Sequence, residues 1–68
     1  MDDDLFNMEV RRFLKQLGVG AQREIEAAVA KEIADGRLAG NETLTATARI
    51  EIDAAGLSHA IEGEIRLA

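Results

Sequence analysis

With 68 residues, 13 acidic against 8 basic side chains and a formal charge of −5, the chain has room for one domain, residues 1–68, and no second core. It has no cysteine, which excludes disulfides, thiolate zinc sites and iron–sulfur clusters, and a single histidine argues against a transition-metal site, so no cofactor is expected. By thirds the charge is −1, −1 and −3, and no third is basic enough to favour a phosphate backbone or anionic lipid; neither nucleic acid nor membrane is an expected partner.

Met1-Asp2-Asp3-Asp4 is acidic where a secretory leader would be basic, and no apolar run approaches the roughly 20 residues of a membrane span, so the cytoplasm is the expected compartment. The three aspartates can cap a helix and favour its positive end. Phe6, Val10, Phe13, Leu14 and Leu17 then recur at a helical period, with Leu5 and Met8 at the margins and Arg11, Arg12, Lys15 and Gln16 mostly on the other side. The spacing predicts a first helix over about residues 4–17, stopped at Gly18 by a left-handed residue, with Val19 folded back on its last turn. Gly18-Val19-Gly20 reads as a short connector. A second helix is predicted from Ala21 to Asp35, with Ile25, Ala28, Val29 and Ile33 as its stripe, widened by Ala27, Ala30 and Ala34 and ended by Gly36. So short a link predicts that the two helices pack as a hairpin or a corner.

Residues 37–42 read as a loop, with Leu38 turned back to the core. From Thr43 to Asp53 the period changes to two. Leu44, Ala46, Ala48, Ile50 and Ile52 alternate with Thr43, Thr45, Thr47, Arg49, Glu51 and Asp53. Ala54-Ala55-Gly56 is the turn. Leu57, His59, Ile61, Gly63, Ile65 and Leu67 then alternate with Ser58, Ala60, Glu62, Glu64 and Arg66. Both apolar sets share one face only if paired positions sum to an odd number. Pairing Ile52 with Leu57 puts Ala54-Ala55 in the loop; pairing Ile52 with His59 puts Ala55-Gly56 there and sets Arg49 opposite Glu62. Both registers satisfy the alternation; the second has opposite charges cross-strand and puts the glycine in the loop, which speaks for it.

The predicted fold is therefore α+β, two N-terminal helices followed by a long antiparallel β-hairpin. A strand of eleven residues is about 36 Å long and a fifteen-residue helix about 22 Å, so one helix cannot cover the hairpin. A small core and a two-stranded sheet with two free edges are both marginal alone. A homodimer is expected, completed by joining two hairpins into a four-stranded sheet or by exchanging hairpins about residues 36–42. The predicted interface, for a second copy or a further protein partner, is Leu44, Ala46, Ala48, Ile50, Ile52, Leu57, His59, Ile61, Gly63, Ile65 and Leu67.

No residue set points to catalysis, and the chain is read as non-enzymatic. His59 lies on the apolar face with no second ligand or nucleophile at suggestive spacing, so it reads as a packed histidine; a small ligand site around it is the alternative. Glu62 and Glu64, with Glu51 across the hairpin, could hold a hard cation weakly, but a solvated acidic face explains them better. Gly18-Val19-Gly20 follows a helix, where a dinucleotide fingerprint needs a strand. Gly63 reads as a thin spot in the sheet where another element packs. Helix, tight turn, helix and hairpin also suggest a winged helix. Against that, the second helix carries Glu24, Glu26, Glu32 and Asp35 against Arg23 and Lys31, the wrong balance for reading DNA.

Asp4-Leu5-Phe6-Asn7-Met8, Arg12-Phe13-Leu14-Lys15, Gly18-Val19, Gln22-Arg23-Glu24-Ile25-Glu26, Gly40-Asn41-Glu42-Thr43-Leu44, Gly56-Leu57-Ser58-His59 and Ile61-Glu62-Gly63-Glu64-Ile65 together resemble a family of short proteobacterial proteins of unknown function. The resemblance spans nearly the whole chain. It implies a bacterial, self-contained, non-enzymatic domain and transfers no catalytic residue. Gly20-Ala21 stands where that family often has Ser or Thr, which implies a weaker start for a second helix here.

Overall fold

Asp2 begins the first element. Its side chain accepts a hydrogen bond from the Leu5 N–H at 3.0 Å and its carbonyl accepts the first helical bond, from Phe6, also at 3.0 Å. Asp3 and Asp4 follow in the first turn, where the helix dipole favours them. In the computed structural model, which describes all 68 residues, the helix that starts here does not stop at Gly18. It runs unbroken as α1, Asp3–Ala34, 32 residues and about 48 Å long.

The two-helix prediction is therefore corrected, and with it the packed helix pair. Gly18 and Gly20 both keep negative φ, so neither takes the left-handed conformation that a helix stop needs. Two mid-helix glycines cost about 2 kcal/mol against alanine, but continuing the helix keeps every backbone bond across the segment. The apolar pattern agrees with continuity. Phe13, Leu17, Ala21, Ile25, Val29 and Ile33 form one ridge at strict four-residue intervals straight through the glycines. No second helix starts at Ala21, so no cap is needed there.

The end of α1 is where the sequence places it. Gly36, with φ +78°, donates to the Ile33 carbonyl at 3.1 Å, and Arg37 N–H reaches back to the Glu32 carbonyl at 2.9 Å. This pair of bonds is a Schellman closure, and it satisfies carbonyls that would otherwise end unpaired. The Arg37 guanidinium folds over the same turn, donating to both oxygens of Glu32 and, at 3.0 Å, to Asp35.

Strands β1, Thr43–Ile52, and β2, Leu57–Arg66, form a two-stranded antiparallel sheet. Ile52 pairs with Leu57, and the ladder runs to Thr43 opposite Arg66. Of the two registers, the first is found, not the one that cross-strand charge and a glycine in the loop speak for, so Arg49 faces Ala60, not Glu62. The turn decides this. Asp53–Ala55 make a single 3₁₀ turn closed by Gly56 N–H to the Asp53 carbonyl at 3.0 Å, and Gly56 takes φ +63°. Glycine adopts that conformation at no steric cost, and a four-residue loop uses it.

Residue contacts divide the chain into two units, Met1–Arg37 and Leu38–Ala68. Neither contains a buried residue. Leu38, expected in a core, is half-buried. A Cβ added at Gly18 or Gly20 meets no atom within 4 Å. Gly18→Ala and Gly20→Ala are each expected to stabilise α1 by about 0.8–1 kcal/mol, read as a higher midpoint in thermal unfolding followed by circular dichroism. Destabilisation by Gly18→Ala would mean that this residue ends a helix after all.

Candidate interaction surface

The register brings the hairpin's predicted interface residues onto one face. Leu44 pairs with Ile65, Ala46 with Gly63, Ala48 with Ile61, Ile50 with His59 and Ile52 with Leu57. Leu67 lies just past β2, and its N–H donates to the Glu42 carbonyl at 2.9 Å, extending the ladder by one pair. The face is uneven in height. Bulky pairs occupy both ends, and Ala46 beside Gly63 makes a low waist between them. Leu44, Ala46, Ile50, Ile65 and Leu67 are half-buried, while Ile52, Leu57 and Ile61 are 50%, 42% and 58% exposed.

The opposite face is polar. Thr45 and Thr47 stand across from Glu64 and Glu62, and Arg49 leans along its own strand to Glu51 at 3.7 Å. Glu51 pairs with Ser58, far along the strand from Glu62, so the three glutamates do not converge. No cluster of three or more histidine, aspartate or glutamate side chains is spaced to hold a metal ion. His59 is exposed on the apolar face, opposite Ile50.

The helix adds a second apolar surface. Phe6, Phe13, Leu14, Leu17, Ile25 and Ile33 are each more than 40% exposed. Two packed helices would turn these residues inward, and for that reason the interface predicted from the sequence lies on the hairpin alone. The signal that finds Phe13, Leu17, Ile25 and Ile33 is the four-residue interval, which runs unbroken from Leu17 to Ala21 to Ile25. Of the basic side chains Arg11, Arg12 and Lys15 on α1, Arg12 bridges Glu9 at 2.8 Å on an exposed surface. With residues 18–20 helical, the helix-turn-helix that a winged-helix reading requires is absent.

One loop positions the start of the face. Glu42 turns its carboxylate back on the chain and accepts from three successive backbone N–H groups, Ala39 at 2.8 Å, Gly40 at 2.9 Å and Asn41 at 3.2 Å. Gly40 holds φ +102°, which lets its N–H converge with its neighbours. These donors, the Ala39 and Gly40 bonds first, hold the Glu42 carboxyl below the ordinary glutamate value of 4.5. On α1, the Arg37 guanidinium likewise lowers Glu32.

The chain belongs to the family of unknown function DUF6494, which matches it over residues 1–68. No curated protein and no solved structure matches it. No helix is long and apolar enough to cross a membrane.

A depressed folded-state pKa makes Glu42 stabilising above the unfolded value, and that contribution is lost as pH falls through the folded value. Glu42→Gln is therefore expected to weaken the hairpin unit at neutral pH and to flatten its pH dependence below about pH 4.5. Unfolding of both proteins across an acid series, with the Glu42 carboxyl followed by NMR, checks this. An unchanged acid limb in the variant would remove Glu42 from that role.

Proposed function

We propose that this member of a family of unknown function is a non-catalytic protein that works as a homodimer, with apolar surface left over for a further protein partner. The observation that carries this reading is the lack of any buried residue in a chain with two long apolar faces. A lone hairpin is marginal in water, and an isolated helix gains most of its stability from packing its apolar stripe. Burying one Leu, Ile or Phe contributes about 1.5–3 kcal/mol, so a second copy that covered a few of them would offset the cost of association. The net negative charge keeps such a chain soluble until it meets its partner.

Sedimentation equilibrium across a dilution series tests the proposal. The expected mass is twice 7.4 kDa at high concentration, falling towards 7.4 kDa on dilution. Ile50→Asp, which puts a charge in the middle of the apolar face, should raise the dissociation constant at least tenfold, about 1.4 kcal/mol. A mass of 7.4 kDa at every concentration, with hairpin amides fully protected, would overturn it.

A further inference from the structure

The hydrogen-bond phase of the hairpin separates its two edges. Leu67 N–H bonds the Glu42 carbonyl, so this pair faces inward, and in an antiparallel ladder every second pair does the same. Leu44, Ala46, Ala48, Ile50 and Ile52 thus spend their backbone groups on β2. Thr43, Thr45, Thr47, Arg49 and Glu51 turn theirs outward, and all five are exposed. On β2 the outward set is Ser58, Ala60, Glu62, Glu64 and Arg66. The sheet has only two strands, so neither edge is paired with a third.

The side chains beside the two edges differ in charge. Two β2 strands joined antiparallel about residue 62, 63 or 64 would set glutamates of the two copies directly opposite, and a pairing centred on Ile61 would still gather all four along one seam. Like charges across a strand pair are destabilising, and charged residues are a common means of blunting an edge. The β1 edge carries three threonines, an arginine and a glutamate. Centred on Thr47 or Ala48, two β1 strands put Thr opposite Thr, Arg49 or Glu51. Centred on Ile50, they put Arg49 opposite Glu51 twice. Only pairings about Arg49 or Glu51 themselves oppose like charges.

Resting on the homodimer reading above, we infer that a second copy docks on the outer edge of β1, antiparallel, giving a four-stranded sheet in the order β2–β1–β1–β2. The two-fold axis is perpendicular to the sheet and keeps both apolar faces on one side, where Leu44, Ala48, Ile50 and Ile52 of the two copies lie beside one another across the seam and cover each other in part. Growth ends there, because each outer edge is then a β2 strand guarded by Glu62 and Glu64.

Amide hydrogen exchange by NMR on the full chain tests this, with solution mass measured on the same samples. The amides of Thr45, Thr47 and Arg49 should exchange at least about tenfold more slowly where the dimer dominates than where the monomer does, and those of Ala60, Glu62 and Glu64 should stay fast at both concentrations. Thr47→Pro removes an outward donor without touching the internal ladder and should abolish the dimer, while Ala60→Pro should leave it. A dimeric mass with fast exchange at Thr45, Thr47 and Arg49, or protection on β2 instead, overturns the edge assignment and leaves the homodimer standing. Masses that climb past the dimer overturn it too, since β1 would then be joining β2 head to tail. A monomer at all concentrations overturns both.

Discussion

Backbone hydrogen bonding holds this chain in shape, because no side chain is buried to do it. Within α1 and within the hairpin, each residue is fixed by its neighbours in the ladder or the turn, and the ends are closed by groups close in sequence. Asp2 serves the first turn, Arg37 and Gly36 the last, Glu42 the approach to β1, and Gly56 the turn between strands. A net backbone hydrogen bond contributes only about 0.5–1.5 kcal/mol, and ordering a residue costs about as much, so such elements stand near balance. Apolar burial is what usually tips that balance, and neither unit contains a buried residue.

That constraint links the parts. The hairpin face, the ridge of α1 and the charge difference between the two strand edges are the features on which the proposed association rests. Across the ladder Glu62 and Glu64 meet only threonine, Thr47 and Thr45.

Much of this was legible in the residues. Alternation from Thr43 to Leu67 located both strands and gathered the candidate face, because side-chain parity is a local property. The Asp2 cap and the Gly36 stop were equally local. Two features were not. The two registers differ by two residues and preserve parity, so alternation cannot separate them; the 3₁₀ turn over Asp53–Ala55, closed by the Gly56 N–H on the Asp53 carbonyl, does. Gly18 and Gly20 are weak helix formers that mark a stop only when a positive φ is required, and here none is. The uninterrupted four-residue ridge across them was the better guide. The contrast between strand edges needed the hydrogen-bond phase, which exists only once the register is known.

The ridge of α1 has a geometry of its own. Each four-residue step overshoots a full helical turn by about 40°, so from Phe13 to Ile33 the ridge swings about 200° around the rod. Phe13 and Ile33 therefore look in nearly opposite directions. A straight helix laid alongside could touch one half of the ridge but not the other. The apolar residues near the start of the rod and those near its end thus belong to different sides of it.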